Sequence, residues 1–325
     1  MTKDRKVNNT SLIVVGLLIV VAFLIGNISG REKGGEVVGE QSKDVAGAVA
    51  FAPTQSDKPT LEFYVMSFCP FGNQAETGLK PVAELLGDKV DWQPRYIIDK
   101  QSKPQLEEIC QSRIYDQATC QGYVDQGYFP NLEACKQRFY TTATECFEKT
   151  TADCLATEDG NYYCSLHGKK ELNQNVREIC AWNQTEDKNQ WWQFVDLVNN
   201  GCQLETVDQC WQAKADEAKL DKDKIQECFN TQAIELLDKE VAATQKAQVS
   251  GSPSVFINGV NYPGDEAYAS ETAQLKIGDQ LFAQAAYRTP ETYKQAVCAA
   301  FEKQPKECKT ELASEVTAGD PGSCD

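Results

Sequence analysis

A cysteine that closely follows an apolar strand is the feature that most constrains this chain. Residues 61–66, LEFYVM, have the length and the aromatic, apolar composition of a buried strand. Cys69 comes shortly afterwards, and Pro70 then occupies the first position of a helical pattern, where proline is tolerated. The sequence therefore predicts a thiol at the N-terminus of a helix over 70–86, which Pro81 is expected to kink or interrupt.

A cysteine at this place in a helix is favoured as a nucleophile. The first turn leaves several backbone N–H groups without helical partners, and the helix dipole places partial positive charge at the same end. Both effects favour the thiolate, which is the form that attacks disulfides. Phe68 and Phe71 bring no competing charge and frame the sulfur with apolar surface. The residues alone leave two alternatives open for Cys69: a reactive thiol beside which a peptide docks, or one half of a structural disulfide.

A second segment, far along the chain, combines a proline, a short strand and a tight turn. Pro253 precedes the strand pattern of 254–257, which ends at Asn258-Gly259. Asn-Gly between two apolar runs is the strongest short-range signal for a hairpin, and 260–262 supply the second strand. Because residues 61–98 also have the pattern of a parallel βαβ unit, we predict the α/β fold class.

The spacing of the fourteen cysteines indicates disulfides rather than metal ligands. No two of them form a C-x-x-C pair, the spacing that zinc ribbons and iron–sulfur sites use. Disulfides in this number are typical of oxidising compartments, so we predict an extracytoplasmic location for the folded part. The cysteines are Cys69, Cys110, Cys120, Cys135, Cys146, Cys154, Cys164, Cys180, Cys202, Cys210, Cys228, Cys298, Cys308 and Cys324.

Charge and motif content exclude several functions. The chain has 48 acidic and 32 basic residues and a net charge of −16, which repels the phosphates of nucleic acids. Its single histidine, His167, is not enough for a His-based metal site. Neither a P-loop nor a G-x-G-x-x-G motif occurs in the sequence. We therefore predict no metal, no cofactor and no nucleic-acid partner.

An apolar run near the N-terminus predicts membrane targeting. Residues 12–28 contain no charge and no proline, and they follow a basic stretch at 3–6. The length suits both a short spanning helix and a long signal-peptide core, so a retained anchor and a cleaved signal are both open. We predict the retained anchor, which gives a single pass through the cell membrane with the basic end inside and the later domain outside.

Residues 65–72 resemble the active-site turn of thioredoxin-fold thiol–disulfide oxidoreductases. The run Cys69-Pro70-Phe71-Gly72 is close to the Cys-Pro-aromatic-Cys turn of glutaredoxins, and 249–259 is similar to the cis-proline loop and hairpin of the same fold. The helical stretch between these segments is similar to DsbA-like proteins. Residues 165–168 together with 177–180 look like those of membrane-anchored prokaryotic members. A more distant likeness is to the gamma-interferon-inducible lysosomal thiol reductases.

The resemblance implies a thioredoxin-like fold and a protein that exchanges thiols with disulfides in other proteins. Cys69 would be the nucleophile, with Pro70 and Phe71 beside it in contact with substrate. The Ser252–Pro253 bond would be cis, and Ser252 would bind an extended peptide through its backbone. The implied partners are cysteine-containing protein substrates and a membrane redox partner.

The sequence departs from the dithiol members at Gly72, where they carry a second cysteine. That cysteine normally attacks the mixed disulfide and releases the substrate. Three hypotheses follow. Cys69 works as a monothiol, isomerising disulfides or relying on a partner thiol; another cysteine, such as Cys324, resolves the adduct; or the site is inactive and the fold is kept as a binding or scaffold module with a cysteine-rich insertion.

Composition and the resemblance together divide the chain into segments. The predicted segments are a cytoplasmic N-terminus (1–11), a transmembrane anchor (12–28), a linker (29–58), a thioredoxin-like domain (59–311) with a cysteine-rich helical insertion (101–164) and a further helical insertion (165–248), and a tail (312–325).

The cysteine positions also predict part of the disulfide pattern. Cys298 and Cys308 flank the end of the last helix, so we expect them to pair. Three bridges are expected within 110–164, and two more among the four cysteines between 180 and 228. This pattern leaves Cys69 and Cys324 outside the bridges.

Overall fold

The computed structural model of the protein describes residues 48–249, 251–263, 274–283 and 286–315. These residues form two compact units, one made of 107–146 and the other of the remaining described residues. Within the described ranges, the strands are β1 Ala48–Phe51, β2 Thr60–Val65, β3 Asp91–Tyr96, β4 Asp99–Ser102, β5 Leu155–Ala156, β6 Asn161–Cys164, β7 Ser254–Ile257, β8 Val260–Asn261, β9 Gln274–Ile277 and β10 Gln280–Ala283. The helices are α1 Pro70–Leu86, α2 Lys103–Ser112, α3 Gln117–Asp125, α4 Leu132–Lys136, α5 Ala143–Ala152, α6 Lys169–Gln184, α7 Lys188–Gly201, α8 Val207–Glu217, α9 Lys222–Ala247 and α10 Pro290–Ala299.

The larger unit is built on a four-stranded sheet in the order β3-β2-β7-β8. Strand β2 is parallel to β3 and antiparallel to β7, and β7 is antiparallel to β8. Leu61, Phe63 and Val65 lie on one face of β2 and are fully buried, and Tyr64 on the opposite face is 2% exposed, as expected of an inner strand covered on both faces. The βαβ unit of β2, α1 and β3 and the hairpin at Asn258-Gly259 therefore form where the sequence predicts them.

Helix α1, which carries the candidate cysteine at its start, packs closely against the last helix, α10. The approach is so tight that a Cβ on Gly78 would lie 2.1 Å from the carbonyl oxygen of Arg288. Helix α10 begins with Thr289 accepting a hydrogen bond from the Thr292 N–H and with Pro290 in the first turn. Helix α1 runs through Pro81 without ending, because its buried face, which includes Leu79 and Val82, holds it in place on both sides of the proline.

Trp191 and Trp192 of the central helices belong to the core, and Trp182 is half-buried against it. Trp192 of α7 stacks on Phe63 with ring centroids 5.3 Å apart, and Trp191 packs edge-on against Trp182 of α6 at 5.0 Å. Helix α6 also packs along α9, and the Cys180–Cys228 disulfide joins the two helices. Helix α6 is thereby packed through Trp182 and Trp191 toward the sheet and joined by the disulfide to α9.

Two further small sheets lie in segments for which no strands were predicted. Residues 48–51, inside the predicted linker, form β1, which pairs in parallel with β9, and β10 completes that sheet. Strands β4, β6 and β5 form the other sheet, at the two ends of the predicted cysteine-rich insertion. Strands of two to four residues are too short to show a period of two, so only their tertiary pairing reveals them.

Six disulfides lie within the described residues. Three of them fall within 110–164 and two among the central helices, as expected from the sequence, and Cys298 pairs with Cys308. Cys324 lies outside the described residues. The pairs are Cys110–Cys146, Cys120–Cys135, Cys154–Cys164, Cys180–Cys228, Cys202–Cys210 and Cys298–Cys308.

The smaller unit, residues 107–146, is held together by disulfides and aromatic rings rather than by a large apolar core. It contains the Cys110–Cys146 and Cys120–Cys135 bridges. The ring of Tyr123 stacks on Phe139 with centroids 6.4 Å apart. Crosslinks of this kind are what a segment of this size needs in order to hold a single fold.

The prediction of a transmembrane helix, and with it the single-pass localisation in the cell membrane, is corrected. Among the helices in the described ranges, none is long and apolar enough to cross a membrane. The longest of them, α9, has 26 residues but carries charged side chains along its whole length, whereas a spanning helix needs about 20 mostly apolar residues. The run 12–28, on which the prediction rested, lies outside the described residues.

Candidate active site

Cys69 is the N-cap residue of α1. Its backbone N–H donates to the Met66 carbonyl oxygen at 2.9 Å, and its own carbonyl accepts from the Asn73 N–H at 2.9 Å. The residue is 2% exposed and lies outside the six disulfides of the described residues. Its side chain therefore stands at the positive end of the helix dipole in a closed turn, which is the placement that the sequence predicts.

The proline loop meets this turn from across the sheet. The Ser252–Pro253 peptide bond is cis. The Cys69 sulfur donates to the Ser252 carbonyl oxygen at 3.5 Å, and the Met66 N–H donates to the Ser252 hydroxyl at 3.2 Å. The two segments singled out in the sequence are thus in direct contact, because β7, which follows the proline, pairs antiparallel with β2, which precedes the cysteine.

The other predicted substrate-binding residues lie in the first turn of α1. Pro70 is half-buried, and Phe71 is 37% exposed, with the Arg288 guanidinium over its ring at 5.2 Å from the centroid. Pro253 is buried next to the half-buried Ser252. The substrate-contacting roles of these four residues stay predictions.

The Cys298–Cys308 pair lies away from the candidate active site. Cys298 is in α10. The residues that follow it reach the end of the strands opposite Cys69, where the Asn258 side chain donates to the Ala300 carbonyl oxygen at 3.4 Å. Asn258 in turn bonds to Thr60, at the end of β2 opposite the cysteine. This disulfide therefore closes the C-terminal helix and takes no part in the site.

A polar face of α6 supports the turn from behind, and the sequence analysis missed it. The Ser67 N–H and hydroxyl both donate to Asn175 Oδ1, at 3.0 and 2.6 Å. The Phe68 N–H donates to Glu171 Oε1 at 2.9 Å. Glu171, Asn175 and Glu178 follow one another at spacings of four and three, so they lie on one face of the helix. That spacing is the signal that could have revealed them.

Glu171 is completely buried and surrounded by donors. His167 contacts it twice, through Nδ1 at 2.8 Å and through its backbone N–H at 3.0 Å, and the Ser165 hydroxyl donates at 2.7 Å. Burial by itself would raise the pKa of Glu171, but the hydrogen bonds from His167 and Ser165 outweigh it and hold that pKa below its ordinary value. The same carboxylate raises the pKa of His167. The two groups therefore form an ion pair when His167 is protonated.

Two further carboxyl groups are buried deeper under the turn. Glu178 Oε2 accepts from the Tyr96 hydroxyl at 2.7 Å, and the Ser67 hydroxyl, which donates its single proton to Asn175, lies 3.0 Å from the same oxygen. Burial raises the pKa of Glu178 to about 7 against the effect of its hydrogen bonds. Burial, and next the charge of Glu178, raise the pKa of Glu76 well above its ordinary value. The interior below the turn therefore retains protons that exposed carboxyl groups would have lost at neutral pH.

The described residues contain no cluster of three or more His, Cys, Asp or Glu side chains arranged to hold a metal ion. The chemistry that the site offers on its own is that of a sulfur at a helix N-terminus beside a backbone carbonyl. This combination, on a sheet with one parallel and two antiparallel pairings and with a cis-proline facing the cysteine, defines a thioredoxin-like α/β protein.

The family model for the vacuolar sorting receptor thioredoxin-like domain matches residues 128–272, which is less than half of the 325-residue chain and begins after Cys69. Among curated proteins, no sequence matches the chain.

Similar solved structures have low sequence identity to this chain. The cytosolic disulfide reductase DsbM from Pseudomonas aeruginosa is 12% identical, with 73% of this chain and 95% of that one covered and a TM-score of 0.34. Oxidized PaDsbA1 is 12% identical, with 68% and 83% covered and a TM-score of 0.33. A 2-hydroxychromene-2-carboxylate isomerase is 12% identical, with 69% and 88% covered and a TM-score of 0.32. Because these TM-scores are low, the class rests on the strand order and site geometry of this chain.

Proposed function

We propose that the protein is a monothiol thiol–disulfide exchange enzyme that acts on cysteine-containing proteins in an oxidising compartment, with Cys69 as its nucleophile. The observation that carries the proposal is the placement of the Cys69 sulfur at the start of α1, with the Ser252 carbonyl 3.5 Å away. The first turn of α1 leaves backbone N–H groups without helical partners at the end where the sulfur lies. The loop before the cis-proline offers backbone groups to an extended peptide.

The reaction needs only sulfur chemistry. The Cys69 thiolate attacks one sulfur of a substrate disulfide, so that a Cys69–substrate disulfide forms, the substrate disulfide breaks, and the second substrate sulfur leaves as a thiolate that takes up a proton. A further thiol then attacks the mixed disulfide and regenerates Cys69. When that thiol belongs to the same substrate, the net result is isomerisation without redox change. When it is a small thiol in excess, it forms a disulfide with the substrate sulfur, and a second molecule of the small thiol then attacks that disulfide. The substrate ends with two thiols, and the two small thiols end as one disulfide.

The position of Gly72 favours this monothiol chemistry, since α1 offers no second sulfur in the turn. Access to the buried sulfur would then require a peptide to lie over the apolar side chains that border it. Two apolar side chains are available for this. Phe71, in the first turn of α1, is 37% exposed, and Leu166 is 68% exposed. Leu166 precedes His167, and the backbone N–H groups of His167 and Phe68 both donate to the Glu171 carboxylate. Such surfaces suit apolar residues beside a substrate cysteine.

The test uses a peptide disulfide with a chromophoric thiol as leaving group. The wild-type protein is mixed with the peptide and quenched with acid, and the adduct is located by mass spectrometry. We expect one adduct, on the tryptic peptide that contains Cys69, together with release of the chromophore. Cys69→Ser should give neither and should keep the fold, because serine is nearly isosteric and is a good N-cap. Equal chromophore release by both proteins, or an adduct on another cysteine, would overturn the proposal.

The second candidate function is a non-catalytic binding module. It is favoured by the family match, since a receptor domain is matched over 128–272 while the segment with Cys69 is not. On this hypothesis the wild type and Cys69→Ser would hold a peptide ligand equally well and without a covalent bond. Equilibrium binding of a fluorescent peptide without a disulfide, measured on both proteins beside the adduct assay, distinguishes the two functions.

A further inference from the structure

We propose that Glu171 is a positioning residue for Cys69, that it acts through the backbone of Phe68, and that His167 keeps its negative charge balanced. The inference rests on the proposed function, since it concerns how the nucleophile is held. It assigns a role to two residues of the α6 region that sequence reasoning did not connect with the thiol.

The contacts of Glu171 show how it holds the turn. One of its oxygens accepts at 2.9 Å from the N–H of Phe68, the residue directly before Cys69. The other oxygen accepts from the Ser165 hydroxyl at 2.7 Å and from the His167 N–H at 3.0 Å. A single carboxylate therefore joins the turn that carries the thiol to the loop that starts α6. Its side chain is fully buried, so water does not compete for these donors.

Asn175 completes the support one helical turn further along. It accepts two hydrogen bonds from Ser67, so Ser67 and Phe68 each have their backbone N–H bound to a side chain of α6. These bonds fix the two residues that lead into Cys69. A nucleophile gains rate from being held in an attack geometry, and displacement by about 1 Å can lower the rate by about 100-fold.

Charge balance explains why a histidine stands beside this carboxylate. A buried carboxylate without a cation is strongly unfavourable, and among the described residues the ion pair that Glu171 makes is with His167. Glu178, on the same helix, also interacts electrostatically with Glu171, and it is acidic as well. An unbalanced negative charge next to the turn would oppose the Cys69 thiolate. When His167 is protonated, Glu171 still offers its two oxygens as hydrogen-bond acceptors, and the pair as a whole carries no net charge.

The titration of the two partners agrees with this role. His167 has a raised pKa and Glu171 a lowered pKa, each through the hydrogen bond between them. The pair is therefore charged on both sides at pH values between the two. As pH rises through the raised pKa of His167, the balancing charge is lost while the carboxylate stays.

The experiment measures the rate at which iodoacetamide labels Cys69, read on the peptide that contains Cys69, between pH 5 and pH 9. The variants are Glu171→Ala, Glu171→Gln, His167→Gln and the double variant Glu171→Gln with His167→Gln. The matched control is Glu240→Gln, because Glu240 is also a buried carboxylate that accepts a backbone N–H, from Tyr96 at 2.9 Å, and pairs with a cation, Arg95 at 3.1 Å. Thermal unfolding monitors the fold of every variant.

We expect Glu171→Ala to slow labelling by about tenfold or more, because the Phe68 anchor is lost. Glu171→Gln keeps an acceptor for Phe68 and should stay within about threefold of the wild type. His167→Gln should move the pH of half-maximal labelling upward, and the same substitution in the Glu171→Gln background should not move it. The Glu240→Gln control should melt earlier but label at the wild-type rate.

Wild-type labelling in a folded Glu171→Ala protein would overturn the inference. So would an equal loss of rate in Glu171→Gln and Glu240→Gln that merely follows the loss of stability, or an unshifted pH profile in His167→Gln. If Glu171→Ala does not fold, the two conservative variants still decide the matter through their pH profiles. Failure of the proposed function would look different: the wild type would be labelled by iodoacetamide but would form no adduct with the peptide disulfide.

Discussion

The hydroxyl oxygen of Ser252 lies 2.7 Å from the place where a Cβ on Gly72 would stand. The hydroxyl is held there by the Met66 N–H at 3.2 Å. The side chain before the cis-proline thus occupies the space in which a residue larger than glycine at position 72 would begin. Glycine at position 72 and serine at position 252 therefore depend on each other, because the serine side chain fills the space that a cysteine side chain at position 72 would need.

The first prediction follows from this contact. Gly72→Cys alone should lower the free energy of unfolding by about 1–2 kcal/mol, because Ser252 must move and leave a buried N–H without its partner. Gly72→Cys combined with Ser252→Ala should accommodate the new Cβ, and the mixed disulfide with a peptide should then decay several-fold faster than in the wild type. Rapid acid quench and mass spectrometry measure the lifetime.

The control for this prediction is Glu84→Cys, which adds a thiol at an exposed position of α1. Residue 84 is twelve positions from residue 72 on the same helix, about 18 Å along its axis, so the lifetime of the adduct should be unchanged. An equally short lifetime with Glu84→Cys would show that any added thiol resolves the adduct from another molecule and that position 72 has no special access.

The second prediction concerns pH and Glu178. Its folded pKa of about 7 lies above the ordinary value, so between the two values the native state binds more protons than the unfolded state. Stability should therefore fall as pH rises from about 5 to 8, by on the order of 2–3 kcal/mol. Glu178→Gln, which is neutral at every pH, should flatten this part of the profile. Urea unfolding at several pH values measures it, and an unchanged slope in the variant would contradict the assignment.

The third prediction compares two disulfides of different span. Cys180–Cys228 closes a loop with a sequence separation of 48 between α6 and α9, whereas Cys202–Cys210 has a separation of 8. From loop-closure entropy, replacing both cysteines by alanine should lower the free energy of unfolding by about 4 kcal/mol for the first pair and about 2.5 kcal/mol for the second. Denaturant unfolding gives both values. The reverse order would mean that native packing, not loop entropy, dominates.

The fourth prediction concerns Asn258, which joins the hairpin to the start of β2. Its side chain accepts from the Thr60 N–H at 2.8 Å and donates to the Thr54 carbonyl oxygen at 2.6 Å, and its φ is 49°. Asn258→Ala should lower stability by about 2–3 kcal/mol, since it loses the bonds and adopts positive φ poorly. Asn258→Gly tolerates that φ and should lose less. Labelling of Cys69 should be unchanged in both, and a slower rate would show that the two ends of β2 are coupled.

Much of the site could be predicted from local pattern. The run 61–66 is apolar enough to be a strand by itself, Pro70 marks a helix start, and Asn258-Gly259 marks a hairpin. Each of these signals depends on residues within a few positions of one another. The short spacings between successive cysteines likewise indicated bridges within 110–164 and between 298 and 308, because nearby cysteines in an oxidising compartment close short loops.

The support of the turn could not be predicted in this way. Ser67 and Asn175 are 108 positions apart, and Phe68 and Glu171 are 103 apart. A spacing of four and three places Glu171, Asn175 and Glu178 on one helix face, but it does not say what that face contacts. The sequence determined by itself that Cys69 would stand at a helix N-terminus, whereas its placement opposite the proline loop followed only from the resemblance to thioredoxin-fold proteins. Only the tertiary structure decided that a histidine-balanced carboxylate holds that turn and that Ser252 fills the space beside Gly72, because such contacts depend on how α6 and β7 pack against β2.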